Sequence, residues 1–324
     1  YNVDITGVSS VGGLIGNIIG NGGNTISNNF VTGSVYSNPY GYHGIAGLIG
    51  VIFLSSGTAT VTNNFSATTV TDAGAYTMGG IVGFNVGGAL ANNYYNIDAS
   101  GAGGGYGAAL NTAASKQQAS FSGFDFTNTW NILENSSYPY LRNSIAVNVT
   151  PRVISGTSPA TAATTVPASP VTLVVNGSVR DTTHAGANGS YYFFDGFNPN
   201  NTIADNSLLL AYIDNASAKG SVLTKAPSSR ASVTNADITN SQFTIGTSTT
   251  QAFSSSDIIN ALGSLSDGDT LYSYDGGFNR IVVATGYSAA STANTTLTLN
   301  SNFRANTGNI SFSKPEVTEG ESVL

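Results

Sequence analysis

Few residues in this chain have the type and spacing that chemistry requires. The two histidines, His43 and His184, lie far apart. With no cysteine and no His-x-x-x-His spacing, a transition-metal site lacks its ligands. Neither histidine stands in a recognisable nucleophile setting, so a Ser-His-Asp triad is not indicated. Ser266-Asp267-Gly268-Asp269 resembles a fragment of a calcium loop. A full loop adds oxygen ligands at alternating positions and a closing glutamate, whereas Leu271 and Tyr272 follow here. Asp267 and Asp269 are therefore the weak metal candidates, and an acidic turn is the plainer reading. The glycine-rich run Gly101 to Gly107 lacks the Gly-Lys-Ser/Thr ending of a phosphate loop. Glycoside cleavage needs a carboxylate pair, or a carboxylate and a base, on one face. Before Lys116 the only acids are Asp4, Asp72 and Asp98, and Asp4 and Asp72 differ in phase. The expectation is a chain with no catalytic residues and no cofactor.

The elements behind these residues announce themselves by repetition. Gly12-Gly13-Leu14-Ile15-Gly16 returns as Ala46-Gly47-Leu48-Ile49-Gly50 and as Gly79-Gly80-Ile81-Val82-Gly83. The central glycines Gly13, Gly47 and Gly80 are 34 and 33 residues apart. Each copy is followed, 12 to 16 residues after its central glycine, by Asn28-Asn29-Phe30, Asn63-Asn64-Phe65 or Asn92-Asn93-Tyr94. A fixed period of this size marks a stack of similar units. Short β-branched runs between Gly and Asn corners read as strands. The spacing predicts that equivalent positions pile up about 4.8 Å apart, with amides of paired asparagines in a ladder. Asn28, Asn63 and Asn92 open those pairs, and replacing Asn28 or Asn63 by Asp is expected to destabilise the stack. Leu14, Ile15, Leu48, Ile49, Ile81 and Val82 are expected to face inward, together with Phe30, Phe65 and Tyr94.

Composition narrows the class. Only 8% of the 324 residues are charged, against about 25% in ordinary soluble domains. The 16 Tyr and 15 Phe argue against disorder. The longest apolar stretch, Ile45 to Leu54, is half the length of a spanning helix, so no membrane-spanning segment is expected. No Lys or Arg precedes Lys116, which removes the basic footprint of a nucleic-acid binder. Tyr1-Asn2-Val3 is an unexpected translation start, so the chain reads as cut from a longer one.

Residues 108–142 have no counterpart in the repeats and are expected to cap the stack, with a short helix at 112–119. Here a resemblance enters. The Gly-Leu-Ile/Val-Gly repeats followed by Ile26-Ser27-Asn28-Asn29-Phe30 look like GLUG motifs, and the run through Lys116-Gln117-Gln118, Trp130-Asn131-Ile132 and Tyr138-Pro139-Tyr140-Leu141-Arg142 looks like the segment that follows them. The combination resembles filamentous-haemagglutinin-like secreted adhesins of Gram-negative bacteria, many exported by two-partner secretion. The resemblance covers residues 1–142, and departs from the usual pattern at Tyr94-Tyr95-Asn96-Ile97-Asp98. It implies an extracellular, cell-surface location and a host or abiotic surface, or matrix polysaccharide, as partner.

The expected fold is all-β: a right-handed parallel β-helix (β-solenoid) with a small β-sandwich and a second solenoid-like region. Its expected parts are a repeat solenoid with cap (1–142), a Ser/Thr/Pro-rich linker (143–170), a β-sandwich (171–230), a solenoid-like region (231–313) and an acidic tail (314–324). Ser256 is expected to cap a helical turn. The expected function is a non-catalytic stalk or fibre of an adhesin in attachment or biofilm. Two alternatives stay open: a filament subunit that associates end to end, and a carbohydrate-active β-helix enzyme.

Overall fold

The computed structural model describes residues 2–37, 44–72, 77–102, 104–135, 137–142, 151–159, 170–185, 189–196, 202–214, 217–313, 315–317 and 323. Strands take up 51% of the described residues and helices 9%, which places the chain in the all-β class, and most of the strand pairing is parallel.

Each of the three repeats supplies one strand to each of four sheets. Val11–Gly12, Ile45–Ala46 and Met78–Gly79 form the first, Ile15–Asn21, Ile49–Ser56 and Val82–Val86 the second, and Thr25–Ser27, Ala59–Thr62 and Gly88–Ala91 the third. The fourth holds Asn2–Gly7, Phe30–Ser37, Phe65–Asp72, Tyr94–Asn96 and Ala108–Leu110. Every pairing in these four sheets is parallel, and like residues meet: Ile15 pairs with Ile49 and Ile49 with Val82, while Phe30 pairs with Phe65 and Phe65 with Tyr94.

Alternation along a strand then sorts the side chains. Val31 and Tyr95 point to one side of the fourth sheet and join Leu48, Ile49, Ile52, Ile81 and Val82 in one apolar cluster. Phe30, Phe65 and Tyr94, one position earlier, point to the other side. They do not extend the inward stripe as expected but form a second cluster with Phe121, Phe124, Trp130 and Tyr138. Phe121 meets both Phe65 and Tyr94 edge to face, at 5.6 and 5.2 Å between ring centres. The segment 108–142 is thus more than an end cap. Ala108–Leu110 adds one more parallel strand, and the remainder folds back along the aromatic row until the Trp130 indole N–H donates to Asn28 Oδ1 in the first repeat (3.2 Å). Two 3-10 turns, Ala114–Lys116 and Gln118–Ser120, stand where a helix was expected.

The stack is unequal at its two edges. Leu48 and Ile81 are fully buried, yet Leu14, at the equivalent position, is 48% exposed, and among the described residues no strand pairs with the outer side of Val11–Gly12 or Ile15–Asn21. At the other edge the glycine run is a lid. The Gly80 N–H donates to Gly104 O (3.3 Å), and Val82 bridges Tyr106. Gly105 (φ +98°) lies so close that a Cβ would stand 2.3 Å from Gly79 Cα.

The central glycines answer a similar need. A Cβ on Gly47 would stand 2.1 Å from Ser66 Oγ and 2.6 Å from Gly80 O. The repeats therefore close on one another only without a side chain at this position. Gly47→Ala should cost about 2–3 kcal/mol of stability in urea unfolding, as overpacking in a closed interior does. A loss below about 0.5 kcal/mol would mean that the close approach is not there.

Beyond residue 150 the pattern changes twice. Arg152–Thr157, in the stretch expected to be linker, is a buried strand paired antiparallel with Ser190–Asp195. It faces a seven-stranded sheet across a core that includes Ile154, Leu173, Tyr191, Phe193 and Leu209. That sheet begins antiparallel (Pro170–Val175, Ser178–His184, Leu208–Ile213, Ser221–Lys225) and continues parallel through Gln242–Ile245, Ser288–Ser291 and Ile310–Ser311. It crosses residue 230, where the composition placed a boundary. Three further parallel pairings, Gln251–Ser254 with Thr295–Leu299, Thr295–Leu299 with Pro315–Val317, and Arg280–Val283 with Asn302–Ala305, together with the antiparallel hairpin of Tyr272–Asp275 and Arg280–Val283, build the last third. Helix Ser255–Leu262 is capped by Ser254 rather than Ser256: its side chain accepts from Asp257 N, and the Asp257 carboxylate accepts from Ser254 N.

Candidate functional site: the ordered faces of the repeats

The paired asparagines divide their work. Asn28, Asn63 and Asn92 sit at φ +56°, +57° and +53°, the left-handed corner that asparagine tolerates better than most residues. The amide ladder belongs to the second member of each pair. Asn29 Nδ2 donates to Asn64 Oδ1 (2.9 Å), and Asn64 Nδ2 donates to Asn93 Oδ1 (2.9 Å). Asn93 Nδ2 ends the row on Val61 O (2.7 Å). Spacing alone could find the pair but not its division, because adjacent residues share the same period and only the backbone turn separates them.

The acidic candidates are occupied by the fold. Asp267 Oδ1 accepts from Asp269 N (2.9 Å), and its Oδ2 accepts from the Tyr212 hydroxyl (3.0 Å). Asp269 pairs with Lys219, whose ammonium that carboxylate holds above its usual range. Burial, followed by the Asp267 carboxylate, pushes the Tyr212 phenol up. Asp267 also borders a cavity of about 530 Å³ with Leu262, Leu265 and Tyr274. Among the described residues, no group of three or more His, Asp or Glu side chains could hold a metal ion.

Asp4 and Asp72 do not converge. Asp4 lies in register with Ser34, and Asp72 with Ser37, so they belong to rows three positions apart. An odd separation sends the two side chains to opposite faces of the sheet. Asp98 Oδ2 accepts from Thr112 N (2.7 Å). His43 lies outside the described residues. His184 Nδ1 stands 3.9 Å from Asp4 Oδ1, which also accepts from Ser34 Oγ (2.7 Å).

Desolvation lowers the His184 pKa, and the Asp4 charge only partly offsets it. The folded chain therefore binds this proton less readily than the unfolded chain. Stability from the neutral imidazole is complete above the ordinary value of 6.5 and falls as pH drops through the lower folded value. His184→Gln should flatten the stability profile between pH 7 and pH 5. An unchanged slope would show that the imidazole is not what titrates.

Two features escaped the reading by residue type. Arg152 is wholly buried, with Nε 3.0 Å from Asp195 Oδ2 and Nη1 3.3 Å from Asp205 Oδ1. Arg230 Nη2 reaches the same Asp195 oxygen at 2.7 Å. These residues are scattered over 79 positions (230 against 152, with ends counted), and no local motif links them. The other is an exposed apolar face on the second sheet. Ile19, Phe53 and Val86 lie in register and are 67%, 50% and 41% exposed. Phe84 is 39% exposed, with its ring stacked on Phe53 at 6.5 Å and 23°. An alternation count on each strand could have found it, since these residues fall between the buried ones.

No protein-family model matches the chain, and no curated protein or solved structure matches it. No helix of the described residues is long and apolar enough to cross a membrane.

Proposed function

We propose that the chain is a non-catalytic stalk or fibre segment of a large extracellular bacterial adhesin, serving surface attachment or biofilm matrix. In this reading residues 1–142 wind as a right-handed parallel β-helix of GLUG-type repeats, and the parallel pairings after residue 240 form a second solenoid. The observation that carries it is the in-register parallel pairing of equivalent residues through all three repeats, closed by one amide ladder. Such stacking transmits order along one axis and suits a spacer. Duplicating residues 47–79 should add one turn, lengthening the particle in small-angle scattering by about 5 Å with little loss of stability. Cells displaying the chain should attach to a surface more than cells displaying none. A shortened or unfolded duplicate, with no gain in attachment, would overturn the reading.

The filament alternative is favoured by one feature: among the described residues, Val11–Gly12, Ile15–Asn21 and Thr25–Ser27 each pair on one side only. Open strand edges recruit further strands. Sedimentation that shows concentration-dependent polymers, rather than a single species, would decide for it.

A further inference from the structure

We propose that the exposed apolar face of the second sheet is a stacking platform for an uncharged polysaccharide. The inference rests on the stalk reading and names the partner that such a stalk would hold. Its ground is geometric. In a chain rich in Asn, Ser and Thr, four outward positions of this sheet carry large apolar groups, with Asn17, Asn21 and Ser55 beside them. Ile19, Phe53 and Val86 form one row across three parallel strands, and Phe84 belongs to the adjacent outward row, in register with Val51. The Phe53 and Phe84 rings are within 23° of parallel. Tyr106 extends the surface past Val82. Tyr106 is 42% exposed, and its hydroxyl donates to Asn85 O (3.5 Å).

Three observations choose the occupant. First, charge: none of the strands Ile15–Asn21, Ile49–Ser56 and Val82–Val86 carries an ionisable residue. An anionic glycan or an anionic lipid surface would find no cation there. Second, area: Ile19, Phe53, Phe84 and Val86 expose roughly 400 Å², against about 800 Å² per partner in a stable protein interface. The face is the size of a functional patch, not of a dimer interface. Third, shape and rim: the face is an open sheet surface rather than a groove, and exposed Asn17, Asn21, Ser55 and Ser56 lie on the same strands. A pyranose ring presents an apolar C–H face and a polar hydroxyl edge. It can lie on the phenyl groups while its hydroxyls meet those amides and hydroxyls. Ser55 and Ser56 already donate to Asn21 Oδ1 (3.4 and 3.0 Å), and a hydrocarbon chain would add no hydrogen bond to the remaining capacity of these exposed groups. The strand-to-strand step of about 4.8 Å sets successive side chains at nearly the pitch of sugar rings along a glycan.

The test is retention of the full chain on regenerated cellulose and on curdlan, at 0.1 M and 1 M NaCl, against Phe53→Asn/Phe84→Asn. The expected result is retention by at least one of the two that salt does not weaken and that falls at least tenfold in the double variant. Because both rings are exposed, the variant should melt with the parent. Should it melt earlier, Ile19→Thr/Val86→Thr provides the same reading with the rings in place, and it should lose at least threefold. Retention equal to the variant's on both solids, or release by salt, overturns the proposal. So does a parent dimer that dissociates in the double variant, since the face would then belong to a second copy. A duplicate that lengthens normally while neither solid is bound overturns this inference and leaves the stalk standing; binding by a chain that does not lengthen does the reverse.

Discussion

Replacing Asn64 by aspartate should lower the unfolding free energy by about 4 kcal/mol at pH 7, read from urea or thermal unfolding. Asn64 is fully buried. Its Oδ1 accepts from the backbone N–H and the side-chain amide of Asn29, both at 2.9 Å. Its Nδ2 donates to Asn93 Oδ1 (2.9 Å) and Ile26 O (3.1 Å). Aspartate keeps the accepting half and destroys the donating half. A carboxylate oxygen would face two acceptors in a site with no cation beside it. Burial raises the pKa of such a carboxyl, so the penalty should shrink as pH falls below the ordinary carboxylate range and the group takes up a proton. Asn92→Asp is the matching control. Asn92 is exposed and holds a left-handed corner that aspartate also tolerates, so its cost should stay below about 1 kcal/mol. Equal losses at the two positions would remove the ladder as a source of stability.

The contrast shows how far residue spacing can be read. Period is a property of the chain, and it led directly to the parallel pairing of Ile15 with Ile49 and of Phe30 with Phe65. Orientation within a period is finer. Asn28 and Asn29 share one spacing, yet one turns the backbone and the other joins the row of amides. Phe30 and Val31 share one strand, yet they enter different cores. A shift of a single residue reverses the face, and the eye follows the aromatic residue rather than the alternation. Contacts between distant segments were beyond reach for another reason. Nothing near Trp130 announces Asn28, and nothing near Ser221–Lys225 announces its parallel partner Gln242–Ile245. The acidic turn at Asp267 was legible as a turn, while Tyr212 and Lys219, which occupy its carboxylates, lie some fifty residues away.

Arg152→Met should cost about 3–5 kcal/mol, the usual consequence of removing one partner from a buried ion pair. The guanidinium reaches Asp195 and Asp205, and it also donates to the carbonyl oxygens of Ile203 and Pro227 (3.1 Å for Pro227). Arg230 remains on Asp195 at 2.7 Å, so the carboxylate is not abandoned, but it loses its fully buried partner. The Pro227 carbonyl loses its arginine donor as well. The double variant Arg152→Met/Asp195→Leu removes both charges together. It should recover part of the loss in a double-mutant cycle, because the single variant leaves the buried Asp195 carboxylate with only its partly exposed partners Arg230 and Arg180. Additive losses would mean that Arg152 acts through packing alone.

The sheet that turns from antiparallel to parallel at Ser221–Lys225 has a practical consequence for anyone dividing the molecule. Val174, Leu210, Tyr212 and Leu223 share one core with Phe243, Phe253, Leu297 and Phe303. A cut at residue 230 would therefore bare a strand's hydrogen-bonding groups on both fragments and split an oily interior between them. Expressed singly, such halves are candidates for inclusion bodies; a soluble product has to keep Arg152 to Val317 in one piece.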